Sequence, residues 1–377
     1  MMKYIWQNDS WPKLRWDSKV LLSPLGHARL LQGNLLGRVK RLGFQLGEEA
    51  QVDILTEEAI KTAAIEGERL NPQMVRSSVA RHLGLREAGL VPATRSIDGL
   101  VEVILDATQK YSKALSMDRL KGWQAALFPS GYSGFHKIRV GQWRGKDPMQ
   151  VVSGPMGKER IHFEAPPGET VEAEIRQFLR WWESSRKEDT DGILRAGLAH
   201  LYFVIIHPFE DGNGRIARAL TDMALAQDEK LQVRYYSLSS QIMEERREYY
   251  DILERCTRSN SVDVTKWLVW FLECFERAIQ RSDKIIGNVL AKAEFWQQHV
   301  QTDFNERQKK VLSRLLDAGP VGFEGGLTTR KYVSIAKVSR ATAFREISDL
   351  LEKKILRQLS GKGRSVHYDL IWPQANK

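Results

Sequence analysis

Between His207 and Arg218 the chain reads His-Pro-Phe-Glu-Asp-Gly-Asn-Gly-Arg-Ile-Ala-Arg, which gathers the side chains that chemistry on a nucleotide phosphate would use. His207 is the one residue there suited to take a proton at neutral pH. Asp211 offers oxygen ligands of the kind Mg2+ accepts while bridging phosphates. Gly212 and Gly214 let backbone approach an anion closely, and Asn213 can donate to a phosphate oxygen. Arg215 and Arg218 stand three apart on one helix face and supply forked donors. A lone Asp-Gly-Asn-Gly is more often a connecting turn, and a lone histidine more often a core residue. A base, a carboxylate, an anion-binding backbone and two arginines together favour a phosphate site.

The elements around the segment would hold it in place. Upstream, Ile193–Ile206 is almost wholly apolar, as a buried central helix would be. Pro208 cannot easily continue that helix, Asp211–Gly214 is turn chemistry, and helical spacing resumes at Ile216. A glycine-rich loop opening a helix presents backbone N–H groups and the positive end of the helix dipole. Helical periodicity dominates elsewhere, over Ser23–Leu46, Thr56–Glu66 with Thr56 as N-cap, Asn71–Leu85, Ser96–Tyr111, Val171–Lys187, Ser239–Arg258 and Asp263–Trp296. The fold class expected is therefore mainly α. Met149–Val152 and Arg160–Glu164, around a Gly/Pro turn, predict a small β-hairpin.

The segment matches the Fic (Fido) signature, His-x-Phe-x-(Asp/Glu)-Gly-Asn-Gly-Arg-x-x-Arg, at every fixed position, so the chain resembles that family over about Ser96–Gln280. The resemblance implies a helical core and transfer of AMP from ATP to a Ser, Thr or Tyr hydroxyl of a target protein. It implies His207 as the catalytic base, Phe209 as the loop's anchor and Asp211 as the Mg2+ ligand. Gly212, Asn213, Gly214, Arg215 and Arg218 would bind the nucleotide. The hairpin, with Met149, Gln150, Val151, Val152, Ile161, His162 and Phe163, resembles the flap on which a target segment docks. Thr62-Ala-Ala-Ile-Glu66-Gly67 is similar to the inhibitory signature (Ser/Thr)-x-x-x-Glu-(Gly/Asn) of the class with an N-terminal inhibitory helix. That likeness implies an ion pair between Glu66 and Arg218, and an autoinhibited enzyme. Two alternatives remain open: a hydrolase that removes AMP with the help of Glu66, and a nucleotide-sensing, DNA-binding transcriptional regulator.

Composition bounds the rest. At 377 residues the chain exceeds one ordinary core, and the reading divides it into an N-terminal helical region over 1–95, a catalytic core over 96–303 and a third domain over 304–377. The net charge of +10 is concentrated in that last part, where 15 Lys/Arg face 7 Asp/Glu. Such an excess suits a polyanionic partner. Asn305–Ala318, Thr328–Ala336 and Ser339–Lys353 read as three helices, followed by two strands about Ser360–Arg364. This order resembles a winged helix-turn-helix. Arg340, Thr342 and Arg345 would then face the major groove of DNA, with Lys362 and Arg364 on the wing. Two cysteines, Cys256 and Cys274, point to a reducing compartment, and no secretory or membrane-spanning segment is evident. The location expected is cytoplasmic, without a membrane partner. Oligomeric state is left open, a homodimer included.

Overall fold

The computed structural model describes residues 4–40, 44–85, 91–153, 160–188, 190–319, 323, 325–359 and 366–372. It is mainly helical, and the chain divides into two compact units: 1–40 with 51–282, and 41–50 with 283–377. The N-terminal helices thus belong to the same unit as the core, except for the first residues of α2, 44–50. The second division falls inside one continuous helix, Thr265–Gln298, rather than at Asp303, because no proline interrupts its periodic apolar residues.

The first unit holds helices α1 (Ser18–Val39), α2 (Phe44–Ile65, from residue 51 on), α3 (Pro72–His82), α4 (Arg95–Gln109) and α5 (Met117–Leu127). Two short hairpins follow, β1 (Tyr132–Ser133) with β2 (His136–Lys137), and β3 (Gln150–Ser153) with β4 (Arg160–Glu164). Then come α6 (Val171–Ser184), α7 (Gly192–Ile206), α8 (Asn213–Glu229), α9 (Leu238–Glu244), α10 (Arg246–Thr257) and the first part of α11 (Thr265–Gln298). α7 packs along α8 and is buried over nearly its whole length. Asp191 caps it, accepting from Ile193 N at 2.8 Å. His200, midway along, is a satisfied core histidine: Thr221 Oγ1 lies 3.0 Å from one ring nitrogen and Tyr249 Oη 2.9 Å from the other. Burial, with Arg218 nearby, pushes it down to about 3. It is held neutral.

Three local expectations change. α1 ends at Val39 and α2 starts at Phe44, so Thr56 lies mid-helix and caps nothing. Buried Val52, Leu55 and Ala59 carry one apolar stripe straight through it, and Ile54 is buried on another face. Ser239–Arg258 is two helices, parted at Glu245 and opened by Ser237, whose hydroxyl caps Ser240 N. α5 is a further helix beyond those the apolar spacing predicts, with Ser116 as its cap and Asp118 in its first turn.

The tryptophan-rich start also finds a role. Trp6 Nε1 donates to Glu164 O at 2.7 Å, at the end of β4, and Tyr4 packs edge-on to Phe163. Trp11 donates to Glu174 at 3.0 Å and meets Tyr202 of α7. Tyr4 and Trp6 thus brace β4, and Trp11 ties the start of the chain to α6 and α7.

In the second unit, α12 (Glu306–Asp317), α13 (Thr329–Ala336) and α14 (Arg340–Glu352) precede antiparallel β5 (Leu356–Gln358) and β6 (Tyr368–Leu370). Leu327, between the first two helices, bridges to Tyr368. Val311, Leu312, Leu315, Tyr332, Ile347 and Leu350 form its core. The expected wing tip, with Lys362 and Arg364, lies outside the described residues. So does the turn of the β3–β4 hairpin, residues 154–159. Among the described residues, no helix is long and apolar enough to cross a membrane.

Candidate functional site

His207 closes α7 in the left-handed region, at φ 49° and ψ 57°. A side chain there costs roughly 1 kcal/mol, so neighbouring contacts must hold it. Arg144 supplies them. Its Nε donates to His207 O at 2.8 Å, its backbone N to Pro208 O at 2.9 Å, and its Nη2 to Pro166 O. The imidazole Nδ1 lies 3.3 Å from Val204 O, and a carbonyl only accepts, so Nδ1 carries the hydrogen. Nε2 is left with its lone pair. Desolvation is the largest influence on the ring, and Arg144 adds to it. Together they outweigh the Val204 bond and the Glu66 and Asp211 carboxylates, pushing His207 down to about 4. At neutral pH the ring is an uncharged base.

Beyond it, Phe209 is fully buried against Trp143 and anchors the loop. Asn213 is also buried, and its side chain embraces the Phe209 backbone: Oδ1 accepts from Phe209 N at 3.0 Å and Nδ2 donates to Phe209 O at 2.8 Å. This amide was expected on a phosphate; in the structure it shapes the loop, leaving its backbone N–H at the helix start. Gly212 is the N-cap residue of α8. Asp211 accepts from Gly212 N at 2.5 Å and from the Ser133 hydroxyl. Arg215 lies over the Phe128 ring, with Glu68 at 3.4 Å and Asp211 at 4.0 Å.

The Arg218 end of the segment is occupied. Arg218 is only 3% exposed, and its Nη2 meets Glu66 Oε1 at 2.6 Å. Thr62 adds two acceptors, Oγ1 at 2.6 Å from Nε and the carbonyl at 3.0 Å from Nη2. Burial alone would weaken the charge on Arg218, but the Glu66 carboxylate outweighs it and raises its pKa. That carboxylate also crowds Gly214 so closely that a Cβ there would overlap it. It therefore sits against the first turn of α8, where free N–H groups and the helix dipole favour an anion.

Local structure aims Glu66 there. Gly67 takes φ 87°, with its N–H bonded to Ala64 O at 2.9 Å and Glu68 N to Ala63 O at 3.0 Å. This is a complete glycine C-cap, and it sets where the Glu66 side chain leaves the helix. α10 closes the remaining carbonyl: Arg246 Nε and Tyr250 Oη lie 2.8 and 3.2 Å from Ile65 O. Thr62, Glu66 and Arg218 are thus brought together, while Arg215 meets Glu68 instead.

The β3–β4 hairpin forms with a register shift between Val151 and Val152. Val152 and Ile161 are exposed, Phe163 is buried, and His162 and Arg160 are tied to Glu254 of α10 at 2.7 and 2.8 Å. Sequence reasoning missed Arg144, Ser133, Arg246 and Tyr250. None carries a motif; only packing across more than 60 residues of chain brings each to the site. Among the described residues, no group of three or more His, Cys, Asp or Glu side chains is arranged to hold a metal. A single carboxylate fits a cation carried mainly by phosphate oxygens.

Residues 114–225 match a family profile described as the Fic/DOC family, and residues 4–85 match one described as a domain of unknown function, DUF4172. Over 221 residues the chain is 32% identical to "Protein adenylyltransferase Fic" of Nematostella vectensis, covering 57% of this chain and 46% of that protein. Over 168 residues it is 27% identical to "Protein adenylyltransferase fic-1" of Caenorhabditis elegans, covering 44% and 30%. The chain thus spans less than half the length of these relatives. A crystal structure of a Fic family protein from Desulfovibrio desulfuricans shares the fold, with a TM-score of 0.53 at 17% identity over 95% of this chain and 97% of that one.

Proposed function

We propose that this chain, which carries a Fic/DOC-family domain, is a protein adenylyltransferase that transfers AMP from ATP to a Ser, Thr or Tyr hydroxyl and holds itself inactive. The observation that carries the proposal is the neutral His207 with a free Nε2, placed beside a glycine-rich helix start and Arg218. His207 Nε2 accepts the proton of the target hydroxyl. The oxygen forms a bond to the α-phosphorus, the bond to the β-phosphate bridging oxygen breaks, and pyrophosphate leaves. Backbone N–H groups of Gly212, Asn213 and Gly214, with Arg215 and Arg218, hold the phosphates. Asp211, steadied by Ser133, would bind Mg2+, which supplies charge neutralisation on the phosphates. The exposed face of the β3–β4 hairpin would receive the target segment by strand addition.

Glu66 supports the autoinhibited form, since it occupies Arg218 and the anion position of α8 together. The test is transfer of labelled AMP by wild type and Glu66→Gly. A hydrogen bond to a charged group contributes about 1.5–3 kcal/mol, so the variant should gain about 10- to 150-fold. No gain on any substrate, itself included, would remove the lock. AMP removal would show the opposite sign, with Glu66→Gly losing hydrolysis. The two free, buried thiols support a reducing, cytoplasmic setting.

For residues 304–377 the proposal is a winged helix-turn-helix that meets DNA phosphates. The acids Glu306, Glu346, Asp349 and Asp369 are each paired internally. Among the described residues, Arg340, Arg345, Arg314 and Lys337 make no ion pair. Filter binding to random duplex should weaken steeply with salt; affinity independent of salt would refute phosphate contact.

A further inference from the structure

The β1–β2 hairpin combines exposed aromatic and basic side chains. From Arg119 to Lys146 the chain contains no Asp or Glu, while His136, Lys137 and Arg139 are all exposed around the hairpin. Among the described residues, neither Lys137 nor Arg139 makes an ion pair. At the tip, between those cations and Gly134, Phe135 stands wholly in solvent at 101% exposure, and Tyr132 is 49% exposed. Folding gains nothing from a phenyl ring left in water.

This hairpin is also fastened to the site. The Ser133 hydroxyl donates to Asp211, and Arg139 N donates to Glu210 Oε2 at 2.9 Å. Arg144, just beyond, holds the His207 and Pro208 carbonyls. The arm is therefore rigidly registered to the catalytic loop while its outward side chains stay unpartnered. Aromatic residues and arginine are the side chains enriched at protein interfaces.

We infer that residues 132–139 are a docking arm for the target protein, and that it selects an acidic segment near the modified hydroxyl. The charge supports this occupant: unpaired cations beside the site attract carboxylates and repel basic sequences. Phe135 would insert between apolar side chains of the same segment. The inference rests on the adenylyl-transfer reading and adds to it a substrate preference.

The experiment uses the full-length Glu66→Gly chain, labelled ATP and peptides that carry one Ser, Thr or Tyr with acidic, neutral or basic flanks. The readout is the ratio of acidic to neutral labelling within each variant. A ratio of roughly three- to ten-fold is expected, in line with one or two exposed ion pairs. Lys137→Glu with Arg139→Glu should bring it to about one or invert it. Phe135→Ala should raise KM for acidic peptides more than it lowers kcat. A chain that labels neutral and acidic peptides equally, or keeps its preference after charge reversal, overturns the arm alone. A chain that labels nothing, itself included, overturns the transfer reading and the arm's role with it.

Discussion

The two ends of the segment from His207 to Arg218 are treated differently by the protein around them. At His207 the backbone is locked by Arg144, the tautomer is set by Val204, and among the described residues no group takes Nε2. At Arg218, Nε and Nη2 are taken, by Thr62 twice and by Glu66 once, while Nη1 is buried without a hydrogen-bond partner among the described residues. On the proposed function, the base is ready while a carboxylate stands where a phosphate would bind. Inhibition would then act on how the nucleotide binds and leave the acid–base machinery untouched.

The largest effect that would break this comparison is at the base. His207→Ala placed in the Glu66→Gly chain should lower AMP transfer by about 10²- to 10⁴-fold while leaving ATP binding intact. Loss of binding instead of turnover would mean that both ends serve the phosphates. The pH profile sharpens the point. His207 must be neutral to accept a proton, and its pKa is pushed down to about 4. Activity of the unlocked chain should hold through neutral pH and fall only as pH drops toward that value. Removing Glu66 takes away one carboxylate that favoured the imidazolium, so this acid limb moves no higher. A midpoint near 6.5 would show that the ring is solvated and ordinary.

A smaller effect is expected at Thr62. Thr62→Val removes the Nε partner of a buried guanidinium and leaves Glu66 in place. An orphaned buried donor costs about 1–2 kcal/mol, so the docked helix should lose roughly 5- to 30-fold in population. Transfer by this variant should fall between wild type and Glu66→Gly. A value equal to wild type would assign the whole lock to the carboxylate.

Legibility in the sequence divides along the same line. Both ends of the segment, and Thr62-Ala-Ala-Ile-Glu66-Gly67, could be read directly because residue types at fixed spacing within one helix or loop are local facts. The pairing of Glu66 with Arg218 came from a resemblance, and the coordinates put the two 2.6 Å apart. The start of α2 is hidden in the sequence because Thr56-Glu-Glu imitates a cap, while the apolar stripe that overrides it begins upstream. Asn213 differs from its expected place for another reason. Its type suits a phosphate, but the turn at Phe209 needs both ends of its amide first. Arg144 and Ser133 were invisible: each acts on the site through a contact across 60 or more residues, and neither sits in a recognisable pattern.

The smallest effect lies one turn deeper in the same interface. Glu58, Thr62 and Glu66 stand four apart on α2, and Asp222, Arg218 and Gly214 stand four apart on α8. Thr62 and Glu66 meet Arg218, so the next contact along sets Glu58 toward Asp222. Both carboxylates are buried. Glu58 is held by Ser237, by Ser239 N at 3.2 Å and by the Ser239 hydroxyl. Asp222 faces Arg234 at 3.7 Å, but Arg234 is more closely paired with Glu229 at 2.9 Å. Burial first, and Glu58 second, push Asp222 up to about 8, with Arg234 and Arg218 opposing. In the unfolded chain an aspartate titrates near 4. Between those values the folded state binds the extra proton, so stability falls as pH rises through that window and levels off above it. Wild type should therefore lose several degrees of Tm between pH 6 and pH 9, at constant ionic strength. Asp222→Asn keeps the neutral shape and should flatten that slope. A wild-type Tm that is level or rising over the same range would mean that the α2–α8 contact carries no proton of its own, and that Glu66 and Thr62 alone hold the helix in place.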